Sequence, residues 1–103
     1  MLVFPRRKTR SDYKKEKTPK QLERHFKGVA NHHRIRILKH IAEQPGITVD
    51  EIAQASGVHF KTVSVHALKL VQAGLVDKSY KGLNVQHVLS PYGKRIHTFL
   101  KSF

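Results

Sequence analysis

The chain has 103 residues, 20 Lys and Arg against 7 Asp and Glu, 8 His and no Cys, which leaves room for one small domain with a formal charge of +13. The absence of thiols excludes disulfide frameworks, zinc ribbons, thiol catalysis and thiolate metal sensing, and so large an excess of cations points to a polyanionic partner. No apolar run approaches the roughly 18 residues of a membrane span, and Met1 to Pro5 run into Arg6-Arg7-Lys8, the reverse order of a secretion signal, so a soluble cytoplasmic protein without a membrane partner is expected.

Residues 1–17 mix Pro5 with seven cations, among them Arg6, Arg7, Lys8 and Arg10, and show no period; they read as a flexible basic arm ahead of one domain over residues 18–103. Thr18-Pro19 opens a first helix, with Thr as N-cap and Pro at the first helical position, and Leu22, Phe26 and Val29 mark its apolar face. Asn31 caps a second helix in which Ile35, Leu38, Ile41 and Ala42 recur, and Pro45-Gly46 stops it. Thr48 stands three residues before Glu51, the spacing of a capping box, and opens a short third helix that buries Val49, Ile52 and Ala53. After the turn at Ser56-Gly57, Val63, Ala67, Leu70 and Val71 mark the inward face of a fourth helix ending at Ala73-Gly74. The period then changes to two: Leu75 to Tyr80 and Leu83 to Leu89 read as strands of a hairpin joined around Lys81-Gly82, with Leu83, Val85, His87 and Leu89 on one face. Ser90-Pro91 repeats the cap-plus-proline signature, and Ile96, Phe99, Leu100 and Phe103 stripe a terminal helix.

The order is therefore α-α-α-α-β-β-α, mainly α with a small β-hairpin. Within it, Ala53, Gly57 and Val63 carry the geometry of a helix-turn-helix. Ala53 permits close passage of the two helices, Gly57 supplies the left-handed residue that ends the first, and Val63 plugs the angle between them. A basic hairpin directly after the second of these helices has the place of a wing, which makes the expected fold a winged helix-turn-helix. Charge follows the same division: residues 1–27 carry +7, residues 28–58 are neutral and residues 59–103 carry +6. A neutral scaffold between two cationic ends is the expected arrangement for meeting a polyanion.

The run Ala30-Asn31-His32-His33-Arg34-Ile35-Arg36-Ile37-Leu38, together with Thr62-Val63-Ser64, His66, Leu70 and Ala73-Gly74-Leu75-Val76, resembles the arsenical-resistance-repressor-like (ArsR-like) transcription regulators. Leu89-Ser90-Pro91 and Gly93 resemble the passage from wing to last helix shared with the multiple-antibiotic-resistance-repressor-like (MarR-like) group. The resemblance covers residues 20–100 and is strongest from Thr62 to Val76. It implies a homodimeric, sequence-specific regulator that binds double-stranded DNA, cytoplasmic and nucleoid-associated if prokaryotic. The chain departs from the family in two respects. Ala67-Leu68 follows His66 where the family has Leu directly, and the last helix offers only His97 where metal-sensing branches pair Asp with His.

On this reading a recognition helix over residues 59–72 enters the major groove and a wing over residues 75–89 lies on the backbone or in the minor groove. Candidate DNA contacts are Thr48, His59, Lys61, Thr62, Ser64, Val65 and Lys69, with Lys78, Lys81 and Asn84 of the wing and Arg6, Arg7, Lys8 and Arg10 of the arm. Lys suits phosphate or guanine, Ser64 a base or phosphate, and Val65 a thymine methyl. Phe60 fits equally at the DNA entrance or packed on the third helix. Leu22, Phe26, Ile96, Phe99, Leu100 and Phe103 exceed what so small a core needs and form the candidate dimer seam. Adjacent Asp50 and Glu51 diverge on a helix, and neither a Gly-rich phosphate loop nor a nucleophile elbow occurs, so no enzyme activity and no cofactor are expected. His33 and His40 share a face at a spacing of seven, but isolated His on a basic protein needs no metal, and no metal or small-molecule effector is expected. The alternative reading is a winged-helix interaction or assembly module without sequence-specific DNA binding.

Overall fold

A computed structural model describes residues 16–103; the expected arm, including Arg6, Arg7, Lys8 and Arg10, falls outside the described residues apart from Glu16 and Lys17. Five helices and one two-stranded antiparallel sheet follow in the expected order: α1 (Pro19–Val29), α2 (His32–Glu43), α3 (Val49–Ser56), α4 (Phe60–Gln72), β1 (Val76–Lys81), β2 (Asn84–Leu89) and α5 (Pro91–Lys101).

Each helix begins where a side chain can take up the backbone N–H groups that the first turn leaves without partners. Thr18 and Gln21 form a full capping box on α1, and Thr48 and Glu51 form another on α3. Asn31 Oδ1 accepts from the backbone N–H of His33 and Arg34 at the start of α2. His59 Nδ1 accepts from Lys61 N on α4. Ser90 does two jobs at the start of α5, accepting from Gly93 N at 3.0 Å and donating to the Gly74 carbonyl at 2.6 Å, which ties the last helix to the end of α4.

The core lies between α2, α3, α4 and the base of the hairpin. Leu38, Ile41, Ile52, Val63, Leu70, Leu75 and Val76 are fully buried there. Ile47, in the loop after α2, joins them and makes an isolated antiparallel bridge to His87 on β2, so the hairpin gains a third backbone partner at its root. Two glycines set the packing distance of the outer helices. A side chain on Gly28 would collide with the Ala73 methyl at the end of α4, and one on Gly93 would collide with the Leu75 carbonyl, so α1 sits against a side chain and α5 against backbone there.

Two expectations need correction. The hairpin strands run Val76–Lys81 and Asn84–Leu89, paired from Val76 with Leu89 to Lys81 with Asn84, so Leu83 is no strand residue. It occupies the two-residue turn with Gly82 and is fully exposed; positive φ at Gly82 alone is the pattern of a type II′ turn, which matches strand twist. The second correction concerns α1. Val29 is buried as expected, but Leu22 and Phe26 stay about half exposed, and the inward residues are His25, Gly28 and Val29. His25 can replace an apolar residue because its Nδ1 lies 2.6 Å from the Ala73 carbonyl, which leaves the buried ring with a partner.

Candidate nucleic-acid interface

Gly57 caps α3 at φ 71°, the left-handed conformation, and its N–H donates to the Ala53 carbonyl at 3.0 Å. This turn sends α4 away from α3 with Val63 and Ala67 buried in the angle, so one side of α4 is held by the core and the other is free. The free side carries Lys61, Val65, Leu68 and Gln72, all exposed, at successive spacings of four, three and four. At 3.6 residues per turn these four fall within an arc of roughly 60° and form one outward stripe. Lys69 is exposed at the edge of that stripe. Ser64 is half-buried on the flank that faces the hairpin, and Thr62 is half-buried on the opposite flank, near His33, Arg36 and Val58.

The hairpin stands beside α4 and carries Lys78, Lys81 and Asn84, all exposed, with Lys78 and Lys81 three residues apart in β1 and so on opposite faces of the strand. Between helix and hairpin runs a groove of about 410 Å³ that gathers Thr48 from the start of α3, Ser64 from α4, and Lys78 and Asn84 from the two strands. Lys61, Val65, Lys69 and Lys81 lie outside it, as does His59, which is engaged in capping α4. Phe60, Leu68, Leu83 and Val85 also line this groove. Phe60 therefore faces the entrance between helix and wing, half exposed. Leu68 falls outside the core pattern of α4, and Leu83, expected on the alternating face of β2, lines the groove from the turn instead.

The back of α4 is clamped by Arg34. Its Nε donates to His66 Nδ1 at 3.2 Å, and one terminal nitrogen donates to the Lys27 and Gly28 carbonyls at 3.2 and 3.4 Å, so one guanidinium joins α2, the end of α1 and α4. Burial holds the His66 imidazole below its ordinary pKa, and the charges of Arg34, His33 and His32 push in the same direction. His33 stacks on His66 with ring centroids 5.2 Å apart. His87, at the root of the wing, is depressed chiefly by burial and to a lesser degree by Lys78, against the hydrogen bonds of the Ile47 and Val85 backbone. Among the described residues no group of three or more His, Asp or Glu side chains is arranged to hold a metal ion.

A second surface lies on the far side. Leu22, Phe26 and Phe99 line a groove of about 650 Å³ between α1 and α5 with Lys17, Tyr92 and Arg95 at its edges. Lys17 Nζ sits 3.9 Å from the centre of the Tyr92 ring. Phe99 and Phe103 meet edge to face at 5.1 Å, and Phe103 is 92% exposed. Of the six expected seam residues, Ile96 is buried in the protomer's own core and Leu100 packs partly against it, so the outward edge consists of Leu22, Phe26, Phe99 and Phe103.

Residues 31–77 match the family model described as winged helix-turn-helix DNA-binding. Among solved structures, the fold is similar to a homodimeric winged helix-turn-helix DNA-binding domain from Mycobacterium bovis, described as a possible ArsR-family transcriptional regulator. That match has 27% identity and a TM-score of 0.73 over 81% of this chain and 77% of the other. It is also similar to HlyU from Vibrio cholerae, at 24% identity and a TM-score of 0.73 over 82% of this chain and 92% of the other. The transcriptional repressor PagR of Bacillus anthracis aligns at 21% identity and a TM-score of 0.72 over 79% of this chain and 93% of the other. No curated protein sequence matches the chain. The turn at Gly57, the outward face of α4, the hairpin and these likenesses agree: the chain has a winged helix-turn-helix fold like that of the ArsR-family and HlyU structures, and residues 31–77 within it match the winged helix-turn-helix DNA-binding model.

Proposed function

We propose that this protein is a DNA-binding transcription regulator that acts as a homodimer on a specific double-stranded site. α4 enters the major groove with Lys61, Ser64, Val65 and Lys69 toward the bases and flanking phosphates, while Lys78, Lys81 and Asn84 of the wing hold the backbone. Thr48, which lines the groove, and His59, at the start of α4, flank this surface, and each side chain caps its own helix. Thr62, half-buried against α2, acts by seating α4 rather than by reading bases. The basic arm of residues 1–17 adds phosphate contacts without base preference, and the domain proper spans residues 18–103.

The observation that carries this reading is the coincidence, on one side of a +13 protein, of a helix face unused by the core and a cationic hairpin beside it. The homodimeric Mycobacterium bovis domain supports the symmetry, and the exposed edge of Leu22, Phe26, Phe99 and Phe103 supplies an apolar surface for it. Catalysis has no part in this function, and a soluble cytoplasmic location fits it; among the described residues no helix is long and apolar enough to cross a membrane. The test is a competition binding measurement with the full chain: a selected duplex should bind at least a hundredfold more tightly than random duplex at the same salt. Equal affinity for both would leave only non-specific binding and refute the assignment.

A further inference from the structure

The outward stripe of α4 has an unusual composition for a helix that reads DNA. Major-groove recognition is usually dominated by Arg or Lys on guanine and by Asn or Gln on adenine. α4 holds no Arg and no Asn. Its Lys61 and Gln72 stand at the two ends of the stripe, and Lys69 stands at its edge. Ser64 is half-buried, and His66 faces inward to accept from Arg34. The middle of the stripe belongs to Val65, 55% exposed, and Leu68, 44% exposed. Neither contributes to the core of the protomer, where Val63, Ala67 and Leu70 already fill the inward face.

We propose that α4 selects its site through thymine methyl groups, with Val65 and Leu68 packed on the C5-methyls of nearby base pairs, so that the ligand is a duplex with thymines in register at the centre of each half-site. The inference rests on the DNA-binding reading and deepens it. The C5-methyl of thymine is the one apolar group on the major-groove edges of the four bases, and an aliphatic side chain is the matching reader. Val65 and Leu68 are three residues apart, about 4.5 Å along the helix axis, comparable with the ~3.4 Å rise of one strand per base. Exposed Lys61 and Lys69 flank the pair on α4 and Lys78 lines the groove beside Leu68, which suits a polyanionic duplex and opposes an apolar protein partner.

Uracil differs from thymine in the duplex only by this methyl. The wild-type chain is first used to enrich a duplex from a random library, and the enriched duplex is then resynthesised with deoxyuridine at one thymine at a time. Binding should weaken by roughly fourfold for each contacted methyl, the equivalent of one buried carbon, with no change in salt dependence. Val65→Ala and Leu68→Ala should each abolish the thymine-uracil difference at one position while keeping the helical spectrum and binding to phosphate. Equal affinity of the thymine and uracil duplexes, with enrichment intact, overturns the methyl inference and leaves the regulator reading standing. Failure to enrich any duplex overturns both, and the apolar stripe then serves a protein partner.

Discussion

Gly57 and Gly28 both need to lack a side chain, for different physical reasons. At Gly57 a Cβ would meet nothing within 4 Å, so the constraint is entirely the φ of 71°, which a β-branched residue reaches only under strain. Gly57→Val should therefore lower stability by about 1 to 3 kcal/mol in chemical denaturation. An unchanged midpoint would mean that the turn does not depend on its left-handed residue. At Gly28 the backbone is ordinary helix and the obstacle is Ala73 on α4. Sequence spacing foretold the first glycine, because a helix end needs it, and not the contact at the second, because close approach of two helices leaves no local signature.

The two depressed imidazoles give a second prediction at this scale. His66 and His87 have folded pKa values below their unfolded value near 6.5, so the unfolded chain binds more protons in the window beneath it, and stability is lost as pH falls from about 6.5 through the folded values. His66 faces Arg34, His33 and His32 with no carboxylate among the causes of its shift, and Lys78 bears on His87, so charging either is opposed by cations as well as by burial. Unfolding free energy measured at pH 7.5 and 5.5 should fall at the lower pH. The combined variant His66→Gln, His87→Leu should show a shallower fall even though it is less stable at neutral pH. An equal slope in the variant would assign the acid sensitivity to other groups.

Among the elements, the proposed function divides the work of recognition between α4 and the hairpin. Lys61→Ala should weaken binding to all duplexes alike and reduce the log-log salt slope by roughly 0.9, as for one lost phosphate contact. Ser64→Ala should instead relax preference at one position per half-site in a repeated selection. If neither variant changes binding to the selected duplex, α4 does not lie in the groove. The element order, four of the five helix starts and the turn were readable from caps, prolines and period, since these signals act within a few residues, whereas the His59 cap of α4 was not. The faces of α1 and β2 were less readable. Leu22 and Phe26 repeat as core residues do, and a repeat does not tell burial within a protomer from burial against a second copy. The Ile47–His87 bridge joins residues 40 apart, and nothing local to either position announces it. Leu83 continued the alternation of β2 but fell in the turn, because Gly82 at positive φ fixes a two-residue connection.

For the whole molecule, the proposed function assigns the two exposed surfaces to different partners: α4 and the wing to DNA, and the edge of α1 and α5 to a second copy. Replacing Phe99 and Phe103 together by Ser should give a monomer in sedimentation equilibrium while most of the helical signal remains, since both side chains lie outside the core. A wild type already monomeric at tens of micromolar would remove the seam. Deleting residues 1–17 should weaken specific and random binding by similar factors and flatten the salt dependence; loss of the specific complex alone would mean that the arm reads bases. The most direct test of a dimeric, sequence-specific winged helix is selection of bound sites from a random duplex library with the full chain. An inverted repeat is expected, its half-sites about one helical turn apart or a multiple of it. Absence of enrichment, or a single asymmetric site, would contradict it.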